Sequence, residues 1–534
     1  MPAATPSATP LQYPVLAPFA AALPPASEHH ARDTKPAKRP GGKQPPQPPP
    51  QQRPHPPSPQ MPPPHQQPQP QPQLSQPQPQ QQQQHRRKHS PQHSPRKSPQ
   101  QQSPQHPPNQ QPPQPRPPKQ QAAWLLTALL ALLAALGNPS KIRSVVLSLF
   151  RYLFFPRGLA AIALYAWWIV PVIVVKRTLG LPHTSPKSWD LSSDILIHLV
   201  RFAMQGRDWR RLRQLMNLVD AGTRAVVWAM GFRLERVRRL ASQSSNYVVE
   251  GAWIVSKGDI VPNVRSEEWK DRLVVLWIHG GGYTTGSCTS FASANCEIMR
   301  HYQDIADEIR ARPLLYFSMD YPKAPEAKYP TQLEATLSTY IWLVQQVGVT
   351  NIIVAGDSAG ANLALNLHRT LVVLNKKTSI VLPMSLVLVS PWMDISRSHT
   401  PPHIQEHLAT TSDFLSTKLL DAFASNVTPS GLHRRDPSIS PIFDLAPLEM
   451  PHDGIFVVYS GSELLTPDID DWIESVRRHG ENRDLLKILR IDDMPHDFAV
   501  ALHMWPTPLR RASVYALREI ARFAFASFLR GAYA

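Results

Sequence analysis

Ser358 is the residue whose setting most plainly suggests chemistry. It lies in Val354-Ala-Gly-Asp-Ser-Ala-Gly-Ala361, between an apolar run with strand character, Asn351 to Val354, and a stretch that reads as a helix, Asn362 to Leu367. Strand, tight Gly-x-Ser-x-Gly turn and helix together form the context in which a serine hydroxyl is held out as a nucleophile. Small residues at 356, 359 and 360 let the backbone turn sharply, and the helix N-terminus offers N–H groups to a developing anion. The five-residue pattern alone is weak, since chance produces it in about one chain in ten of this size. Its partners decide the matter. Upstream, the buried run Leu273 to Ile278 ends in His279-Gly280-Gly281-Gly282-Tyr283. Three glycines after a strand let a ligand approach convergent backbone N–H groups closely. A phosphate loop would need a Gly-Lys-Ser/Thr ending, which is absent.

With these two motifs about 76 residues apart, the chain resembles the hormone-sensitive-lipase-like branch of the α/β-hydrolases, including the fungal membrane-anchored steryl acetyl hydrolases. The resemblance runs through roughly 270 to 500. Asp320-Tyr321-Pro322-Lys323-Ala324-Pro325-Glu326 stands where the family has Tyr-Arg-Leu-Ala-Pro-Glu, and Ser390-Pro391-Trp392-Met393-Asp394 resembles its Ser-Pro-Trp-x-Asp. Asp436-Pro437 to Ser440-Pro441 resembles its Asp-Pro-x-x-Ser-Pro. Two departures, Ala361 for a second glycine and Pro322 for arginine, remove no group that catalysis needs.

The resemblance implies the order serine, acid, histidine. After the strand Ile455 to Tyr459, Glu463 aligns with the family's acid and Asp468 is the alternative; His496, in the His-x-Phe loop after the last strand, is the base and His503 a structural decoy. In the chemistry this implies, His496 takes the Ser358 proton, Glu463 holds the imidazole, and backbone N–H groups of Gly280, Gly281 and Ala359 hold the oxyanion. No metal and no organic cofactor is needed.

The elements that must carry these residues begin near Ser245. Short apolar runs at Tyr247 to Val249, Trp253 to Val255, Leu273 to Ile278, Leu314 to Met319, Ile352 to Ala355, Ser385 to Val389, Ile455 to Tyr459 and Leu486 to Leu489 alternate with helical stretches. That pattern predicts a mostly parallel sheet with helices on both faces over 245–530, which the resemblance implies is the α/β-hydrolase fold. Residues 178–244 read as an amphipathic helical cap, with Arg201, Arg207, Arg210, Arg211, Arg213, Arg233, Arg236, Arg238 and Arg239 on polar faces that suit lipid headgroups. Residues 122–177 read as membrane-associated, with 158–175 the best span, an uncharged run closed by Lys176-Arg177.

Residues 1–121 hold 37 of the 60 prolines and 13 Lys/Arg against two acids, so most of the formal +17 charge belongs to a Pro/Gln-rich tail. Such a tail reads as disordered, and it does not support a nucleic-acid role. Its basic character favours a cytosolic N-terminus, which with a single span puts the catalytic domain in a lumen, the endoplasmic reticulum favoured. The sequon at Asn426 is compatible with that side. Cys288 and Cys296, the chain's two cysteines, cannot form a disulfide framework or a zinc site.

The expected function is a membrane-anchored serine carboxylesterase or lipase for lipophilic esters, with acetylated sterols or short-acyl lipids preferred. The competing expectations are a non-catalytic scaffold whose tail recruits SH3-type or WW-type partners, and a soluble detoxifying esterase.

Overall fold

A computed structural model describes residues 159–533 apart from 182–183, 205–208, 242–246, 263–268, 270–271, 310–311, 479–482 and 504–506. The tail expected over 1–121, the apolar stretch 122–137 and the start of the expected span lie outside these residues. Eight strands form one sheet: β1 Phe232–Leu240, β2 Val248–Ser256, β3 Leu273–Ile278, β4 Leu315–Asp320, β5 Asn351–Asp357, β6 Ser385–Val389, β7 Ile455–Ser460 and β8 Leu486–Ile491. Their order is β1-β2-β4-β3-β5-β6-β7-β8. The two pairs involving β2 are antiparallel and all later pairs are parallel.

Strands β3, β6 and β7 are buried along their whole length, which is why they read as continuous apolar runs without alternation. Three helices precede the parallel part, α1 Leu159–Thr178, α2 Leu191–Met204 and α3 Trp209–Ala229. Then follow α4 Ala292–Ala306, α5 Thr331–Trp342, α6 Ala359–Asn375, α7 Pro402–Thr411, α8 Thr417–Val427, α9 Thr466–Arg478, the single turn α10 Phe498–Ala501, and α11 Leu509–Tyr533. Helix α11 packs on α4, and α5 on α6. Register puts Ile278 beside Gly356 and Asp357 beside Val389, so the C-terminal ends of β3, β5 and β6 come level at the centre of the sheet.

Two expectations need correction. First, Phe232 to Leu240 is a strand and not part of a helical cap, so the sheet begins upstream of 245. Its arginines hid the strand period, and on an edge strand they serve to discourage pairing with other chains. Second, the cover over the site is not confined to 178–244. Helices α7 and α8, inserted between β6 and β7, share it, and the Phe423 ring of α8 fills the place a side chain at Gly282 would take.

The span expected over 158–175 falls on α1, which is described from Leu159 onward; among the described residues no helix is long and apolar enough to cross a membrane. Helix α1 lies on α2. Tyr165 stacks on Phe202 at 4.0 Å, and Arg177 reaches Asp194 at 2.9 Å and the Trp189 carbonyl at 2.5 Å. Trp167 and Trp168 remain 77% and 66% exposed.

Candidate active site

The nucleophile turn is built by close approach. A Cβ on Gly360 would lie 2.0 Å from the Ile278 carbonyl oxygen, and one on Gly356 would lie 2.6 Å from the Gly360 backbone, so β5 can pass into α6 against the end of β3 only with glycine at both positions. Between them Ser358 adopts φ 52° and ψ −117°, a region that L residues seldom occupy and that costs on the order of 1–3 kcal/mol. Backbone bonds hold it there: the Ser358 N–H donates to Val389 O at 2.8 Å, and the Ser358 carbonyl accepts from Trp392 N at 3.1 Å.

His496 and Glu463 approach this serine from loops after β8 and β7. His496 Nε2 is 2.9 Å from Ser358 Oγ, and Nδ1 is 3.2 Å from Glu463 Oε2. All three residues are buried. Burial pushes the Glu463 carboxyl up to about 7, with the bond to His496 opposing that shift. For His496, burial works against the protonated ring, but the carboxylates of Asp497 and Glu463 outweigh it and raise the pKa well above that of an ordinary histidine.

The structure separates the alternatives left open above. Asp468 accepts from Thr400 Oγ1 at 2.5 Å at the start of α9, and burial pushes its carboxyl up to about 7. His503 is tied to Val500 O and Ser293 Oγ, and burial brings it down to about 4. Neither belongs to the cluster around Ser358.

Gly280 differs from expectation. Its N–H donates to Asp357 Oδ2 at 2.9 Å, so in this arrangement it does not face an oxyanion. Gly281 and Ala359 remain at the turn. The glycine loop is clamped from α3, where Arg213 donates to Thr284 O at 2.8 Å and Ala324 O at 2.6 Å, and Asp220 accepts from Ser287 Oγ at 2.5 Å. Arg213 and the buried Arg201 therefore face the protein and not lipid headgroups.

Sequence reading also missed Asp497, whose Oδ2 lies 3.2 Å from the same His496 nitrogen that faces Ser358. The signal was present, because Asp497 is the middle residue of the His-x-Phe loop, but its side chain was given no role. Among the described residues no cluster of His, Cys, Asp or Glu could hold a metal ion.

Residues 275–500 match the family model described as alpha/beta hydrolase fold. This region has the α/β-hydrolase fold. Among curated proteins the chain is similar to an esterase of Acinetobacter venetianus, 32% identical over 34% of this chain and 56% of that protein. It is also similar to steryl acetyl hydrolase 1 of Saccharomyces cerevisiae, 26% identical over 24% of this chain and 28% of that one. The chain thus spans about half the length of the first of these relatives and less of the second. Among solved structures, an esterase from the bacterial hormone-sensitive lipase family aligns with 63% of this chain and 97% of its own at 22% identity, TM-score 0.48.

Proposed function

We propose that this hydrolase is a serine carboxylesterase of lipophilic esters, with Ser358 as nucleophile, His496 as base and Glu463 as the acid that orients it. The observation carrying this reading is the continuous chain from Glu463 Oε2 through His496 to Ser358 Oγ. A serine hydroxyl attacks an ester carbonyl only weakly at neutral pH, so His496 Nε2 removes its proton as the bond forms. Glu463 fixes the tautomer that leaves Nε2 free and stabilises the imidazolium that results. The tetrahedral oxyanion is held by the N–H groups of Gly281 and Ala359, each contributing about 3 kcal/mol. His496 then returns the proton to the leaving alkoxide, and water, activated in the same way, releases the acid from the acyl-enzyme.

The preference for acetylated sterols or short-acyl lipids is an inference from the named activity of the yeast relative. Lipid-surface association, at the endoplasmic reticulum, is a second part of the proposal. The exposed Trp167, Trp168, Val175 and Leu179 beside Lys176 support it, as apolar surface with a basic flank on a helix that is apolar all round. The sequon gives no support to a lumenal site, because the Asn426 amide nitrogen is buried.

The test is hydrolysis of p-nitrophenyl butyrate and of a sterol acetate by the parent and by Ser358→Ala, with fluorophosphonate labelling alongside. Parent turnover and labelling, both abolished by the substitution, are expected; equal turnover in the two proteins rejects the mechanism. Flotation with anionic liposomes addresses the surface. Trp167→Glu with Trp168→Glu is expected to shift the protein out of the lipid fraction, and unchanged flotation removes α1 from that role.

A further inference from the structure

Asp413 lies in the turn between α7 and α8 with its side chain fully buried. Its carboxylate accepts four backbone N–H groups drawn from three separate segments. Oδ1 takes Phe414 N at 2.7 Å, Leu415 N at 3.2 Å and His496 N at 3.1 Å, while Oδ2 takes Leu464 N at 2.6 Å. Leu464 directly follows Glu463, so one carboxylate grips the backbone of the acid loop with one oxygen and of the base loop with the other. Neighbouring bonds draw the same loops together, Ser460 Oγ to Met494 O at 2.5 Å and Asp493 N to Ser462 Oγ at 3.0 Å. Of these bonds, those of Asp413 hold the backbone N–H groups of His496 itself and of Leu464.

The turn carrying Asp413 is fixed from outside the sheet. Arg201 of α2, 7% exposed, donates through Nε to Asp413 O at 2.7 Å, and its two terminal nitrogens donate to Thr410 O and Thr411 O at 3.1 Å. The planar fork satisfies carbonyls left unpaired at the C-terminal end of α7, where a cation is also favoured. Ser412 Oγ adds a bond to the Ser462 carbonyl in the acid loop.

We propose that Asp413 is a positioning residue for the hydrolysis assigned above, setting the spacing of Glu463 and His496 with Arg201 as its brace. The proposal rests on the Ser-His-Glu reading and extends it, because it makes the cover segment and the helix before the sheet part of what determines kcat. Bonds to an ionised acceptor are stronger and more directional than neutral ones. An asparagine at 413 keeps an oxygen for the Oδ1 partners but turns an amide N–H₂ toward Leu464 N–H. The acid loop is then released while the turn and the base loop keep their anchor.

The experiment compares the full chain with Asp413→Asn, Glu463→Gln and the double variant, measuring kcat and KM for p-nitrophenyl butyrate, the rate constant of fluorophosphonate labelling, and the thermal midpoint. Asp413→Asn is expected to lower kcat and the labelling rate together by about 30-fold, the equivalent of one lost charge-assisted bond, with KM changed less than about 3-fold. In the Glu463→Gln background the same change is expected to cost under about 3-fold, because the interaction it supports is already gone. A folded Asp413→Asn protein with parental kcat overturns the proposal, as does a loss of equal size in both backgrounds, which marks Asp413 as merely structural. Should Asp413→Asn fail to fold, Arg201→Lys takes its place under the same criteria, with an expected loss of about 5-fold. A parent protein that turns over and labels through some residue other than Ser358 fails the underlying reading instead, which the Ser358→Ala control separates.

Discussion

The two halves of the site are held by different means. Ser358 and the glycine loop hang from β5 and β3, neighbours at the centre of the sheet, where parallel register fixes Gly356 beside Ile278. Glu463 and His496 come from loops after β7 and β8, toward one edge of the sheet, and are braced from elsewhere in the chain. Asp413 reaches them from the insertion after β6, and Trp189 Nε1 donates to Asp493 O at 2.5 Å from upstream of the whole sheet. The first half is a product of backbone packing. The second is a product of side-chain bonds to loops, which loosen at lower cost. Damage to the first half should therefore destroy the fold or the site outright, and damage to the second should tune the rate.

Gly360→Ala is the severest test of the packed half. With its Cβ 2.0 Å from the Ile278 carbonyl oxygen and 2.7 Å from the His279 backbone, it meets backbone and no flexible side chain that could give way. The expected cost exceeds about 4 kcal/mol, seen as loss of the cooperative thermal transition or of soluble protein, together with loss of esterase activity. An active variant with a parental melting temperature would mean that the turn is not clamped as described. On the loop-borne half, Glu463→Gln keeps the shape and removes the charge facing His496 Nδ1. The fold should survive, while kcat falls by about 10³-fold; a loss under 10-fold would remove Glu463 as the orienting acid.

Asp497→Asn shifts a pH profile more than a maximum rate. The Asp497 carboxylate, 3.2 Å from Nε2, is the strongest influence raising the His496 pKa. With that charge gone the ring loses its proton at lower pH, so the acid limb of kcat/KM should move toward acid, with a smaller change on the plateau. A limb that stays put would assign it to another group.

The same division explains what could be read from sequence. Strands β3, β5, β6 and β7 are short apolar runs buried on both faces, and the glycines at 356 and 360 report directly on a turn that excludes side chains, so the centre of the sheet and its serine were legible. The chain order of acid and base followed from resemblance, and the structure brings Glu463 and His496 to that serine. The brace was not legible. Arg201 meets Asp413 across 212 positions and Trp189 meets Asp493 across 304, and no local pattern marks such pairs. Strand β1 was hidden because Arg236, Arg238 and Arg239 occupy a strand edge that a helical reading treats as a polar face. The Gly280 donor was misassigned because a glycine's spacing says nothing about which acceptor its N–H has already found, here Asp357.

The mildest expected effect separates a buried acid that serves the fold from one that serves the reaction. Asp468 and Glu463 lie five residues apart, both buried and both pushed up to about 7 chiefly by desolvation, yet only Glu463 faces His496. Asp468 lies in the first turn of α9, where the helix dipole favours its charge by at most about 2 kcal/mol. A rise of some three units corresponds to about 4 kcal/mol the other way, so burial prevails. An unfolded aspartate ionises near 4, whereas this one holds its proton to about 7. Its contribution to stability is thus fully present below about pH 4 and is lost as pH rises to about 7. Asp468→Asn removes that loss and keeps an oxygen to accept from Thr400. The variant should match the parent in kcat within about 2-fold, and its melting temperature relative to the parent should climb by about 3 °C between pH 5 and pH 8. A difference that stays flat with pH would show that Asp468 is ionised throughout. A kcat loss comparable to that of Glu463→Gln would return it to the reaction.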